Sequence, residues 1–224
     1  MHAFDLFPEK FEVPGLTCTR ADLTKELPIA SESVDFVVCQ EGIEHLPDQL
    51  HVLSEFSRIL RPGGRLLLTT PSVSHVRARV SHLLLESDLY RRLPANEIEE
   101  VWHAEDGRTY HGHIFLINAQ KLRTLARLAG LRIAQICPTK VSYSSLILGV
   151  LLYPLIAFVT WRARARSERK AGASLTPEMR EAFAGMARLN LHPDILFGKH
   201  LFFEFEKSGV PGHTQVTKDQ EVIW

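Results

Sequence analysis

The chain has 224 residues, of which 45% are hydrophobic and 23% are charged. This composition excludes a wholly disordered chain, a collagen-like repeat and a coiled coil, and the length is ample for a buried core. Lysine plus arginine and aspartate plus glutamate both number 26, so the formal net charge is +0. A dedicated nucleic-acid binder carries an excess of positive charge, and we therefore expect no nucleic-acid partner.

The three cysteines, Cys18, Cys39 and Cys137, lie far apart in apolar runs and do not have the spacing of zinc ligands. Thiols in such positions are typical of small buried residues in a reducing compartment. The first ten residues lack the basic and apolar regions of a secretory signal. We therefore expect a cytoplasmic protein.

The first half of the chain alternates short apolar runs with helical periodicity, the pattern of an α/β protein with a parallel sheet covered by helices. Residues 16–20, Val34–Gln40 and residues 64–70 are predicted strands. Between the last two, Asp48 is a predicted helix cap, and the glycine pair that begins at Gly63 follows the end of that helix.

The pattern loosens over residues 73–117, which we interpret as a lid or substrate region within a core domain over residues 1–140. Order returns at Asn118, the predicted cap of a helix that is followed by a strand at residues 131–137. A last core strand is predicted at residues 199–207. Residues 208–224 lack periodicity and are predicted to form a flexible tail.

Residues 141–161 carry no charge and are followed by five basic residues within positions 162–170. The length fits a transmembrane helix and the basic flank fits a cytoplasmic membrane interface, but a single crossing conflicts with a last strand in the same sheet. The alternatives are a bent helix that dips into the bilayer and returns, a helical pair that roofs a pocket, or an insert buried against its own domain. We expect a helical insert over residues 141–198 with membrane contact through residues 141–170.

Four ordered motifs carry a resemblance to a known family. They are Ala21-Asp22-Leu23, Leu27-Pro28, Val-Asp-Phe-Val-Val-Cys-Gln-Glu-Gly-Ile-Glu-His-Leu at residues 34–46, and Arg-Ile-Leu-Arg-Pro-Gly-Gly-Arg-Leu at residues 58–66. In this order and spacing the chain resembles the class I S-adenosylmethionine-dependent methyltransferases over residues 5–137, with the last strand near Phe202. The resemblance implies a Rossmann-like α/β sheet and S-adenosylmethionine as the cofactor.

The resemblance also implies which side chains hold this cofactor, because ligands of an open parallel sheet bind beyond the carboxyl ends of its strands. Asp5 is expected to bond the ribose hydroxyls. Asp22 is expected to accept a hydrogen bond from the adenine amine while Leu23 packs on the ring. Gln40 and Glu41 are expected to line the methionine end. The structural alternatives are a solvated acid at Asp5 and a turn-capping role for Asp22.

The chain departs from the family at its defining element, a first strand followed by a glycine-rich turn. The sequence contains no Gly-x-Gly, and it begins where the second strand of the family ends. We therefore expect a Rossmann-like sheet that is N-terminally truncated, with its first strand and helix missing. A gap or an exposed edge is expected beside Val34–Gln40, and a hydrophobic helical insert precedes the last strand.

Methyl transfer from a sulfonium requires in-line positioning, and a base is required only where the acceptor loses a proton. For a hydroxyl acceptor, histidine is the suitable residue type. His111 and His113 in the lid are the preferred catalytic candidates, ahead of His45 near the cofactor. His111-Gly112-His113 also suggests a metal ligand pair, but because no carboxylate or thiolate is placed beside it, no metal site is predicted.

The sequence thus predicts a methyltransferase that uses S-adenosylmethionine and acts on a small or lipid-linked acceptor, peripheral on the inner face of a membrane. The alternative is a truncated, non-catalytic methyltransferase-like module or gene-model fragment that serves as a membrane-associated binding partner. A third interpretation is a nucleotide-dependent oxidoreductase, and the missing glycine-rich turn counts equally against it.

Overall fold

A computed structural model of the protein describes residues 2–88, 93–103, 107 and 109–208. The predicted flexible tail lies outside the described residues after position 208. The strands are β1 (Ala3–Asp5), β2 (Cys18–Arg20), β3 (Val34–Gln40), β4 (Leu60–Pro71), β5 (Val101–His103), β6 (Thr109–His111), β7 (Leu131–Ile136) and β8 (His200–Lys207). The α-helices are α1 (Gln49–Ile59), α2 (Val76–Leu85), α3 (Ala119–Leu128), α4 (Tyr143–Ala171), α5 (Pro177–Leu191) and α6 (Pro193–Phe197).

The main sheet has four strands in the order β3-β4-β8-β7. β3 and β4 are parallel, whereas β8 is antiparallel to both of its neighbours, β4 and β7. The expectation of a purely parallel sheet is therefore wrong, and the sheet is mixed. The insert returns to the same edge of the sheet at which β7 ends, so β8 runs antiparallel to β7.

The insert leaves and re-enters the sheet at one edge. β7 and β8 are antiparallel neighbours, so the end of β7 and the start of β8 lie at the same edge. His200, the first residue of β8, pairs with Pro71, the last residue of β4. That edge is therefore the carboxyl edge of β4, the side on which ligands bind in open α/β sheets. The insert begins with α4 and ends with α6 beside it.

One face of the main sheet is apolar and buried. It carries Leu66 and Leu68 of β4 beside Phe203 and Phe205 of β8, and all four side chains are buried in the core that α1 and α3 complete. Burial of each such side chain contributes about 1.5–3 kcal/mol. The opposite face carries ion pairs between neighbouring strands, such as Arg132 with Glu206 at 2.9 Å.

β1 and β2 form a separate two-stranded parallel sheet.

Among the described residues β3 pairs with β4 alone, so its other edge is open. Phe36 and Val38 of β3 are 50% and 63% exposed, which is unusual for large apolar residues in an α/β sheet. The expected exposed edge beside Val34–Gln40 is therefore seen in the described part of the chain.

The helices α1 and α3 begin at the capping residues that the sequence predicted. The side chain of Asp48 accepts a hydrogen bond from His51 N, and that of Asn118 accepts one from Lys121 N. Each cap satisfies a backbone N–H that the first helical turn leaves unpaired. The predictions of α1 and α3 are confirmed.

The insert is built on α4, a continuous helix of 29 residues that passes through Pro154. A helix that dips and returns would have to break, and the described helix does not. Tyr143–Ser174 is the one segment of the described chain that is long and apolar enough to cross a membrane, and 11% of its apolar window is buried. The core helix of a soluble protein passes the same test but is mostly buried, so an insert buried against its own domain does not fit α4.

Candidate functional site at the carboxyl edge

The site begins at the turn that follows β3. A short 3₁₀ helix, Ile43–His45, carries Glu44 and His45 immediately beyond the carboxyl end of this strand. Thr70 lies near the carboxyl end of the neighbouring β4. Because β3 and β4 are parallel, their carboxyl ends lie at the same edge, and the three side chains meet there.

Glu44 is a fully buried carboxylate with one satisfied oxygen. Its Oε2 accepts a hydrogen bond of 2.9 Å from Thr70 Oγ1. Its Oε1 is also buried and accepts no hydrogen bond from any residue that the structure describes. A ring nitrogen of the adjacent residue, His45 Nε2, lies 3.9 Å from Oε1. A buried carboxylate oxygen without a partner is unusual in a folded protein and calls for an explanation.

His45 is held by the backbone of the lid. Its Nδ1 lies 2.9 Å from His111 O and 3.1 Å from Gly112 O. Since both partners are acceptors, Nδ1 carries the proton, and Nε2 presents a lone pair. Gly112 has no room for a side chain. A Cβ at that position would lie 3.1 Å from the ring of Trp102 and would overlap the Glu100 carboxylate.

The sequence favoured His111 and His113 as a pair, whereas the structure brings the rings of His45 and His113 together. The rings of His45 and His113 lie 5.2 Å apart, and His113 N donates a 2.8 Å hydrogen bond to Glu100 Oε2. The ring of His111 instead packs edge-on against Phe115, with 5.2 Å between centroids. His113 and His45 are therefore neighbours, whereas His111 contributes its carbonyl oxygen.

Glu44, His45 and His113 form what we call the Glu–His cluster. One potential ligand atom from each lies within 4.8 Å of the other two. Burial decreases along the cluster from Glu44 through the half-buried His45 to the exposed His113. Sequence reasoning treated the histidines as a pair without a carboxylate, and the structure supplies the carboxylate. The adjacency of Glu44 and His45 at a strand end was the available signal, whereas the approach of His113 had none.

Asp5 and Asp22 lie together at the carboxyl edge of the two-stranded sheet. Asp5 ends β1, and its backbone oxygen accepts a hydrogen bond from Ala21 N at 3.0 Å. Asp5 Oδ1 accepts from Phe7 N at 2.8 Å. Asp22 Oδ1 accepts from Thr24 N at 3.0 Å and from Thr24 Oγ1 at 2.7 Å. The turn-capping role considered for Asp22 is thus present, and it leaves the cofactor role as a prediction.

The other predicted cofactor residues are Leu23, Gln40 and Glu41. Leu23 is half-buried and packs against the main core. Gln40 is the exposed last residue of β3. Glu41 follows it with a φ of +48°, a conformation that non-glycine residues adopt rarely and mostly in tight turns. Its Oε2 lies 3.7 Å from His200 Nε2.

The chemistry of these groups fits one half of S-adenosylmethionine. Asp5 and Asp22 place two carboxylates at one sheet edge, and carboxylates accept hydrogen bonds from ribose hydroxyls and from an exocyclic amine. Cys39, at the end of β3, is no nucleophile, since burial and then the nearby Glu44 raise its pKa to about 12.

Comparisons with known proteins identify the family of the chain. The profile of a family described as a methyltransferase domain matches residues 2–136. The demethylmenaquinone methyltransferase of Bacillus cereus (strain AH187) is 28% identical over 130 residues, which are 56% of this chain and 52% of that protein. The protein of the same name from Bacillus anthracis (strain A0248) aligns with the same figures. The chain thus spans about half the length of the curated relatives it matches.

Among solved structures, a SAM dependent methyltransferase from Archaeoglobus fulgidus has a TM-score of 0.47 at 11% identity, covering 92% of this chain and 75% of that one. An S-adenosylmethionine dependent methyltransferase from Mesorhizobium loti has a TM-score of 0.43 at 12% identity, covering 92% and 79%. The family profile itself covers β1 through β7 together with the Glu–His cluster. The chain therefore belongs to the family of S-adenosylmethionine-dependent methyltransferase domains.

Proposed function

We propose that the protein transfers a methyl group from S-adenosylmethionine to a small, amphiphilic or lipid-linked acceptor, and that it works as a peripheral protein on the cytoplasmic side of a membrane. The methyl transfer follows from the family. The choice of acceptor and of location is carried by one observation, the exposed apolar surface of α4.

The outward side of α4 is apolar, in addition to the half-buried Leu148, Leu152 and Ile156 on its packed side. The residues that α4 buries are the small or polar Ser145, Gly149 and Thr160. Its outward side carries large apolar residues, such as Ile147, Val150 and Leu151, which are 70%, 77% and 75% exposed. A surface helix of a soluble protein buries its apolar face, so this arrangement fits an apolar environment outside the protein.

The end of the apolar stretch has the composition of a membrane interface. Trp161 is exposed, and Arg162 lies over the ring of Phe158, with 5.8 Å between the guanidinium carbon and the ring centroid. Arg162 and Arg169 line a surface depression together with Trp161. Tryptophan and arginine are enriched where apolar segments meet lipid headgroups, and basic clusters bind anionic lipids.

The apolar surface and the candidate site share one side of the fold. Because α4 follows β7 and the chain returns at His200 beside Pro71, the insert is joined to the carboxyl edge of the sheet. The Glu–His cluster lies beyond the carboxyl end of β3 at that same edge. An acceptor partly embedded in a membrane would thus approach the site from the side on which α4 contacts lipid.

The residues of the chain have separate tasks in this mechanism. S-adenosylmethionine supplies a methyl group on a sulfonium, which is displaced in line by the acceptor. Asp5 and Asp22 hold the adenosine part through their carboxylates. His45 presents its Nε2 lone pair, and together with His113 it orients a hydroxyl acceptor and receives its proton. The lid fixes His45 through the carbonyl of His111 and excludes water from the reacting atoms.

The curated relatives are named for methyl transfer to demethylmenaquinone, and they match about half of their own length to this chain. A quinone of that type is therefore the first acceptor to test. The mechanism needs a hydroxyl acceptor, so the quinone is first reduced chemically to its quinol. A radiolabelled methyl group on the cofactor would then report transfer to the quinol dispersed in vesicles.

Vesicle flotation tests the location. We expect the protein to float with vesicles that contain an anionic lipid, and we expect a variant with Ile147→Ser, Val150→Ser and Leu151→Ser to stay in solution. A matched control carries Val13→Ser, Leu93→Ser and Ile98→Ser, which are exposed apolar residues outside α4. The proposal of membrane contact through α4 is overturned if both triple variants float to the same extent as the unchanged protein.

Calorimetric titration with S-adenosylhomocysteine tests the cofactor site. Binding is expected to be lost in Asp22→Ala and kept in Thr24→Ala, which loosens the same turn but keeps the carboxylate. The open edge of β3 favours a second candidate, a non-catalytic binding module. A folded sample that binds no S-adenosylhomocysteine would decide for this second candidate.

A further inference from the structure

The Glu–His cluster has a feature that methyl transfer alone does not require. Glu44 is 0% exposed, and its Oε1 accepts no hydrogen bond within the described residues. A buried carboxylate oxygen without a partner is costly, and native proteins compensate it with a hydrogen bond, a buried water or a cation. An imidazole nitrogen, His45 Nε2, lies 3.9 Å from this oxygen, and neutral imidazole nitrogens are cation ligands.

The atoms around the cluster hold it in the arrangement of a metal site. His45 donates its Nδ1 proton to the carbonyl oxygen of His111, which leaves Nε2 free to bind. A histidine that binds a metal nearly always donates its other ring proton to a carbonyl or a carboxylate. Glu44 is likewise fixed by Thr70, which occupies Oε2 and leaves Oε1 to face the histidines.

We propose that Glu44, His45 and His113 bind one divalent first-row transition-metal cation, with Zn²⁺ as the ion of best fit. Two imidazoles and one carboxylate form a ligand set that Zn²⁺ takes in sites with an open position. Imidazole nitrogen also disfavours Mg²⁺ and Ca²⁺, which prefer oxygen ligands. The open position lies on the side of His113, the exposed member of the cluster.

The three ligand atoms lie within 4.8 Å of one another, and Zn²⁺ binds nitrogen and oxygen at about 2.0–2.2 Å. Rotation of the exposed His113 ring is the smallest change that closes the set, because Glu44 and His45 are already fixed by their hydrogen bonds. His45 already contacts the lid through the carbonyl oxygens of His111 and Gly112, so the cation would add a further link between the lid and the sheet.

A role for the cation in the reaction rests on the proposed function, whereas its binding does not. A hydroxyl at the open position of a Zn²⁺ site loses its proton more readily than a free hydroxyl. His45 would then act as a ligand, and the acceptor proton would leave to solvent through the exposed side of His113.

Metal binding is tested on the full chain without any substrate. Metal-free protein carrying Cys18→Ser and Cys137→Ser is titrated with Co²⁺ and with Zn²⁺, followed by visible absorption and by calorimetry. We expect one ion per chain, a visible Co²⁺ spectrum without thiolate bands, and a thermal midpoint raised by Zn²⁺. Glu44→Gln, His45→Gln and His113→Gln are each expected to weaken binding at least tenfold.

The matched control is His103→Gln, an exposed lid histidine outside the cluster whose Nδ1 contacts Thr109 Oγ1. It should bind both ions as the parent does. The proposal is overturned if the parent binds neither ion, or if Glu44→Gln binds them with unchanged affinity while its circular dichroism shows a native fold. Titration with S-adenosylhomocysteine on the same variants separates this failure from failure of the cofactor site, which lies at Asp22.

Discussion

Asn190 of α5 donates a hydrogen bond from Nδ2 to Thr160 Oγ1 of α4 at a distance of 2.6 Å. Thr160 is one of three buried residues of α4, and its bond ties the basic half of this helix to α5, which folds back along it. The fully buried contacts of α4 are therefore small or polar, beside the half-buried apolar residues Leu148, Leu152 and Ile156.

This bond predicts a measurable coupling between the two residues. Thr160→Val and Asn190→Leu should each destabilise the protein by about 1 kcal/mol, because each leaves the other group without its partner. The double variant should be more stable than the sum of the two losses. Urea unfolding of the four proteins gives the coupling energy, and additive effects would show that the bond contributes nothing.

Gly149 is the second attachment point of α4. A Cβ at this position would overlap the ring of Phe197, so glycine is required for the close approach of α4 to α6. Gly149→Leu should cost about 1–3 kcal/mol through overpacking, and Phe197→Ala in the same chain should recover part of the loss. Val150→Leu, at the adjacent exposed position, should change the unfolding free energy by less than about 0.5 kcal/mol.

His75 makes the stability depend on pH. It caps α2 by accepting a hydrogen bond from Ala78 N at Nδ1, and burial, with a smaller effect from Arg77, lowers its pKa from 6.5 to about 4. Between these two values the unfolded chain binds more protons than the folded one, so stability falls as the pH decreases from 6.5 to 4. The loss at pH 4 should be about 3 kcal/mol.

His75→Asn isolates this contribution. Asparagine keeps an acceptor at the cap but does not titrate, so the variant should lose less stability than the parent over the same pH range. The difference between the two unfolding curves removes the contribution of carboxylates common to both proteins. A pH dependence that is identical in both proteins would mean that His75 is not buried in its neutral form.

Cys39 should react only after unfolding. Its thiol is buried, and its pKa of about 12 leaves almost no thiolate at neutral pH. In a chain with Cys18→Ser and Cys137→Ser, a thiol reagent should label Cys39 in urea and not in buffer. Rapid labelling in buffer would contradict the packing of β3 against the core, and a cysteine introduced at the exposed Val38 provides a reactive reference.

The sequence predicted the elements that depend on local chemistry. Val34–Gln40 is a strand with the expected bounds, and Asp48 and Asn118 cap helices as expected. These features follow from residues within one or two turns of each other. The antiparallel direction of β8 did not follow, because it depends on where a long insert returns to the sheet.

The candidate site was predictable only in part for a similar reason. Gln40 ends a strand and Glu41 and His45 follow within five residues, so their place at the carboxyl edge follows from the sequence. The contact of His45 with His113 joins residues far apart in the chain through the backbone of the lid, and no pattern of spacing encodes it. Hydropathy likewise could not predict the solvent exposure of α4, because a buried and an exposed apolar helix have the same hydropathy.

The open edge of β3 has a practical consequence for work with this polypeptide. Its free backbone groups, beside the exposed Phe36 and Val38, are a template to which a second extended segment can add by strand pairing. Concentrated samples should therefore self-associate, and dilution should reverse it. A lysine at position 38, the device by which natural sheets protect their edges, should keep the protein monodisperse at concentrations where the parent forms larger species.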